Sequence, residues 1–110
     1  MAKATFWQKG EKIDYKNAGT EVIGNGDIVV IGSKIGVAGN EIAVGATGSL
    51  VLSGIFKMPK GTAEAITLGA KVYWDKTNGV ITATVGSNTE AGFAVAAAAT
   101  ADTTVLVHLN

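Results

Sequence analysis

Gly69-Ala70-Lys71-Val72-Tyr73-Trp74-Asp75-Lys76-Thr77-Asn78-Gly79-Val80 reads as a strand, a tight turn and the start of a returning strand. Val72, Tyr73 and Trp74 are β-branched or aromatic and suit a pleated, half-buried surface. Asn78-Gly79 is a hairpin signal, because glycine takes φ > 0 without steric cost. Tyr73 and Trp74 are neighbours in the strand, so they point to opposite faces. One fills the core and the other lies on a surface or an interface. Burying a tryptophan side chain of roughly 200 Å² gives about 5 kcal/mol of gross transfer energy. Nothing in the stretch suggests chemistry. It indicates a small all-β protein, a barrel or a sandwich of short strands.

The rest of the chain extends that reading. Between Gly19 and Gly54 a glycine punctuates the sequence every few residues, and the apolar pieces between are rich in β-branched residues. That spacing suits short strands joined by tight turns rather than helices. Strands are predicted over 5–8, 12–16, 27–31, 33–38, 41–44, 49–57, 71–75, 80–85, 92–98 and 103–109. In the last, Val105, Val107 and Leu109 share one face, and Thr104, Leu106 and His108 share the other. The run Ala96–Ala99 favours helix by propensity, but Gly92 and the turn at Thr100-Ala101-Asp102 bracket a segment too short for a stable helix. At most one helical turn is expected, near 61–68, with Thr62 as its cap. No repeat of about twenty residues or more is visible. A single β domain over 1–110 is expected. Residues 1–10 form a mobile N-terminal arm unless the segment 5–8 is tied down as a first strand.

Composition narrows the function. Of the 110 residues, 47% are apolar and only 16% charged, against about 25% charged in an average domain. A small domain with so few charges is expected to have part of its surface covered by another subunit. The net charge is zero and arginine is absent, which argues against direct nucleic-acid binding. No cysteine is present, which excludes disulfides, thiolate nucleophiles and cysteine zinc sites. The start, Met1-Ala2-Lys3-Ala4-Thr5, lacks the apolar core of a signal peptide, and no run is long enough to span a bilayer. Synthesis in a reducing cytoplasm, with no membrane partner, is the expectation.

Catalytic motifs are missing. His108 is the sole histidine and reads as an ordinary strand residue. The carboxylates are scattered singly, and Asp27 and Asp75 read as turn residues. The phosphate-loop pattern is absent, since no glycine precedes a lysine. Gly24-Asn25-Gly26 is followed by Val29 where a dinucleotide fingerprint needs glycine, and no Gly-x-Ser-x-Gly elbow occurs. The expected protein is not an enzyme and carries no metal or cofactor. The candidate functional residues are apolar. Phe6-Trp7 is either a docking anchor on the arm or part of a first strand in the core. Phe56, Met58 and Pro59 close a long strand and are a candidate interface with another subunit or protein.

Several stretches resemble one family when taken in order. They are Ile13-Asp14-Tyr15, Gly26-Asp27-Ile28-Val29-Val30-Ile31-Gly32, Ile35-Gly36-Val37-Ala38, Gly54-Ile55-Phe56-Lys57-Met58-Pro59-Lys60, Lys71-Val72-Tyr73-Trp74-Asp75, Gly92-Phe93-Ala94-Val95-Ala96 and Val105-Leu106-Val107-His108-Leu109-Asn110. The chain resembles the small capsid cement, or head decoration, proteins of bacteriophages. The resemblance implies a phage or prophage virion component that binds the outer surface of the mature capsid and stabilises it. Its partner would be the major capsid protein, met through candidates among Phe6, Trp7, Phe56, Met58 and Pro59; it would be made in a bacterial host cytoplasm and be a homo-oligomer, often a trimer. Some relatives carry a recombinase-like label, which the missing phosphate loop contradicts. Leu106 and His108 stand where many relatives have charged residues. The competing expectation is a small monomeric β-barrel that binds carbohydrate or nucleic acid without catalysis.

Overall fold

The short apolar runs fold into nine strands and no helix among the described residues, which are 1–109 of a computed structural model. Asn110, the last residue of the terminal match, lies outside them. The strands are β1 (Lys12–Lys16), β2 (Ile28–Ile31), β3 (Lys34–Ala38), β4 (Thr47–Val51), β5 (Gly54–Pro59), β6 (Lys71–Asp75), β7 (Val80–Thr82), β8 (Thr89–Ala94) and β9 (Thr104–Leu109). They form two antiparallel sheets, ordered β1-β4-β3-β2 and β5-β9-β8-β6-β7. The fold is all-β. Neither sheet closes fully, and together they make an open sandwich.

The two sheets repeat one plan. Replacing β1, β2, β3 and β4 by β5, β6, β8 and β9 turns the first strand order into the second, with β7 left over as an added strand on the β6 edge. The connections match as well. Ile23 pairs with Ile42 by a single bridge in the first half, and Ile66 pairs with Ala98 in the second. Each half enters its second strand through the same turn. Gly26 and Gly69 stand at φ 87° and 84° there, a region that glycine reaches freely. Their N–H groups donate to the carbonyls of Ala38 and Ala94, at 2.8 Å in both cases.

The two buried polar side chains, Asn17 and Lys60 (each 3% exposed), follow the first strand of each half. Asn17 Nδ2 donates to the carbonyls of Glu21 (2.8 Å) and Ile42 (3.0 Å), and its Oδ1 accepts from the Gly19 N–H (3.1 Å). Lys60 Nζ donates to the carbonyls of Gly61 (2.7 Å), Thr100 (3.2 Å) and Asp102 (3.0 Å). Each side chain thus ties the loops beside its own first strand to one point. Their backbones match too: the N–H of Asn17 donates to Ala46 and that of Lys60 to Thr103, each the residue before the partner strand.

The main core lies within and around the second sheet. Met58, Val72, Ile81, Ala91, Ala94, Val105, Val107 and Leu109 are buried there, and Ile35 and Val37 of β3 join them from the first sheet. Trp74 and Phe56 pack against this cluster. The opposite face of β3 packs a smaller nucleus around Leu50. Gly36 is required at that contact, since a Cβ there would lie 2.6 Å from Leu50 Cγ.

Several expectations hold. β1 and β6 have the predicted ends, Trp74 is the core member of its aromatic pair, and Val105, Val107 and Leu109 form the buried face of β9. Others are corrected. The segment 5–8 forms no strand, and every residue from Met1 to Lys12 is exposed. The predicted strand 49–57 is two strands in different sheets, β4 and β5, because the chain bends at Leu52-Ser53. The segment 41–44 contributes one bridge, at Ile42, and then turns. No helical turn forms over 61–68: after a turn at Thr62-Ala63, Ile66 bridges to Ala98. The strand predicted over 92–98 lies over 89–94, and Ala98 keeps only that bridge, because its backbone pairs with a loop. A structural repeat exists although none is visible in the sequence.

The β6–β7 connection spans Lys76 to Gly79, with the Gly79 N–H donating to the Asp75 carbonyl (2.8 Å) and Gly79 at φ 67°. Asp75 accepts from the Asn78 side chain (2.7 Å) and backbone N–H (3.1 Å). These bonds, the side-chain one foremost, hold its carboxyl below the usual aspartate range.

Two outcomes are expected. Asn17→Ala leaves the Glu21 and Ile42 carbonyls without their donor and costs about 1–3 kcal/mol, read as a lower urea midpoint at unchanged slope. In a carboxyl NMR titration Asp75 titrates below the usual aspartate range, and Asn78→Ala moves it back up. Because the folded value is the lowered one, the contribution of Asp75 to stability is present above the ordinary aspartate pKa and is lost as pH falls through the lowered value.

Candidate functional site

The sequence candidates fall in two places. Phe6 and Trp7 are 83% and 89% exposed, outside both sheets, so neither belongs to the core. Phe56, Met58 and Pro59 lie together on β5, an edge strand that pairs only with β9. Alternation sends Phe56 and Met58 inward, where they sit opposite Val107 and Val105, and sends Pro59 outward opposite Thr104. Met58 is 2% exposed and belongs to the core.

All three β5 residues line one open groove of about 340 Å³ between the sheets. Its other walls come from Ile28, Val37 and Val51 of the first sheet. The groove is apolar and has Lys57 as its one charged lining residue. Residue pattern alone marked the β5 side and missed the β2, β3 and β4 side. Alternation identifies which residues share a face of their own strand, but not which strand of another sheet they will meet.

A second apolar feature crosses the outward face of the second sheet. Cross-strand pairing sets Ile55, His108, Phe93 and Lys71 in one row over β5, β9, β8 and β6. Ile55, Phe93 and the neighbouring Leu106 are exposed. The His108 ring stacks on Phe93 with centroids 5.1 Å apart and planes 15° from parallel. Its Nδ1 is buried without a hydrogen-bond partner. At the end of the row Lys71 Nζ lies 3.0 Å from Glu90 Oε1. That pairing holds the Glu90 carboxyl below the usual glutamate range and raises the Lys71 ammonium. Leu106, singled out in the sequence together with His108, adds to the exposed apolar area of this face.

No cluster of three or more histidine or carboxylate side chains suited to a metal occurs among the described residues. Asp27 and Asp102 are committed to turns, accepting from the N–H groups of Gly24 and Ala99 at 2.8 Å each. Among the described residues no helix is long and apolar enough to cross a membrane. What the surface does offer is apolar contact area on rigid strands.

The two candidate groups respond differently to truncation. Met58→Ala opens a cavity in the core and is expected to cost about 2–5 kcal/mol. Phe6→Ala and Trp7→Ala are expected to change the stability of the dilute monomeric protein by no more than about 0.5 kcal/mol. Urea unfolding of the three variants at low protein concentration measures both.

A family model described as phage cement protein matches residues 7–109 of the chain. No curated protein and no solved structure matches it.

Proposed function

Because the chain belongs to the phage cement protein family, and is thereby a structural protein associated with a phage capsid, we propose that it binds the outer surface of the mature capsid and stabilises the particle. The family match over almost the whole chain carries this reading. The surface supports it: apolar residues are presented on stiff, paired strands, and the chain has little charge to spend on solvation. The partner is the major capsid protein. The protein works as a homo-oligomer, with a trimer favoured, and the candidate contacts are Phe6, Trp7, Phe56, Pro59 and the groove wall that Met58 backs.

Stabilisation needs no chemistry. A protein that binds the mature lattice and not its disassembled state adds RT ln(1 + [L]/Kd), about 2.7 kcal/mol per site at a hundredfold excess over Kd. Many sites add up against the outward pressure of packaged DNA.

Quantitative mass spectrometry of purified DNA-filled particles tests the reading. The chain is expected at a copy number comparable to the major capsid protein. Particles lacking it are expected to release DNA at a lower temperature, and adding purified protein back restores the temperature. Presence at a few copies would instead place it in a connector or tail, and absence from intact heads would overturn the reading.

A further inference from the structure

The repeat leaves one strand position empty. In the second half β7 pairs antiparallel along the outer edge of β6 and reaches back toward β5 through the Lys60–Ile81 bridge. In the first half β2 occupies the place of β6, and among the described residues nothing pairs with its outer edge. An open cleft of about 430 Å³ lies there, lined by Ile28, Val29 and Val30 of β2 and by Tyr15 of β1. Three consecutive residues of one strand point to alternate faces, so a cleft lined by all three runs along the strand's edge. It separates β2 from β1, as β7 stands between β6 and β5.

The free edge is competent to pair. The two-residue Gly32-Ser33 turn makes Ile31 and Lys34 a hydrogen-bonded pair, and the Ala38 N–H donation to Asp27 (2.9 Å) continues the same phase. The backbone groups of Ile28 and Val30 therefore point away from β3, toward the cleft. No lysine or proline lies within β2 to blunt this edge.

We propose that the N-terminal arm of a second copy of this chain fills the vacancy, with Thr5-Phe6-Trp7-Gln8 pairing antiparallel to β2 as β7 pairs with β6. The arm has the residues of a strand but no strand partner in its own chain. Its charges complement the site: residues 1–10 carry Lys3 and Lys9 and no carboxylate, while Glu21 and Asp27 line the cleft beside the single Lys76. Phe6 and Trp7 are large exposed aromatics on the arm itself, available to fill it. Ten extended residues reach about 33–36 Å, more than the 23 Å short dimension of the molecule. A contact of arm to edge is heterologous, so copies joined this way close into a ring when the rotation permits. The inference rests on the homo-oligomer part of the reading above and is independent of capsid binding.

Light scattering on a sizing column, with two complementary variants, tests it. Deletion of residues 1–10 keeps the edge and removes the arm. Val30→Pro keeps the arm and blocks the edge, at a position whose N–H is not used by β3. The full chain is expected to be oligomeric, each variant alone monomeric with an unchanged β-sheet circular dichroism spectrum, and their 1:1 mixture a heterodimer. Should Val30→Pro not fold, Glu21→Lys reads the same contact, with association about fivefold weaker at low salt and the difference shrinking as salt rises. An oligomer that survives arm deletion unchanged, a mixture of folded variants that stays monomeric, or a Glu21→Lys chain that associates normally overturns the arm contact and leaves the homo-oligomer reading standing. A monomeric full chain overturns both, and capsid binding is then judged by the particle experiment alone.

Discussion

Each sheet is held at the same place by one buried polar side chain, and the rest of the fold hangs on those two points. Short strands joined by long connections carry a large loop entropy, and where the connections tuck in at single buried points their inward carbonyls need donors. Asn17 and Lys60 supply those donors in one step each. The amide serves two carbonyls and the ammonium three. Different chemistry answers the same geometric demand, because in both halves the chain must turn away from its first strand and come back beside it. Burying a lysine is ordinarily costly, and here three carbonyl dipoles offset the loss of water.

With the loops tied, the apolar residues can be distributed unevenly. The second half builds a closed core around Val72, Val107 and Ile81 because β7 covers the β6 edge. The first half keeps a smaller nucleus around Leu50 and leans Ile35 and Val37 on its neighbour. It is the half with an open strand edge. The scarcity of charge has its structural counterpart here. The exposed row of Ile55 and Phe93, the groove beside Phe56 and the bare edge of β2 are places where another chain's atoms, rather than water, are the natural cover. A protein that works by contact at a capsid has use for such places.

Much of this was legible in the residues. The strands around Tyr73-Trp74 and Val105–Leu109 were marked by period-two patterning, the turns by glycine and aspartate, and the absence of catalytic motifs by inspection. The family was recognisable from short stretches whose order and spacing are specific. The misplaced strands share a cause. In Ser49–Lys57 two apolar runs flank Ser53-Gly54, and reading the stretch as one strand passes over that pair and misses the bend at Leu52-Ser53 that sends β4 and β5 into different sheets. Glu41–Val44 has strand composition, and Ala96–Ala98 prolongs a strand run against its helix propensity, but the backbone of each segment meets one residue across a loop. The segment Thr5–Gln8 has strand residues and no edge within its own chain to pair with. Among the candidate contacts, Phe56, Met58 and Pro59 were found together in sequence, but the burial of Met58 and the facing wall of Ile28, Val37 and Val51 were not visible there.

The sequence by itself determined that this is an all-β protein of short strands, poor in charge and without cysteine or arginine. Those properties follow from residue type and local spacing, which act over a few bonds and need no knowledge of what lies opposite. Only the tertiary structure decided that the chain is one plan executed twice, that Asn17 and Lys60 do the same work, and that β2 has a bare edge where β6 has a covered one. Equivalence of that kind lives in hydrogen bonds between residues far apart in the chain. Backbone groups are the same in every residue, so two halves can share their ladders and turns while their side chains share almost nothing.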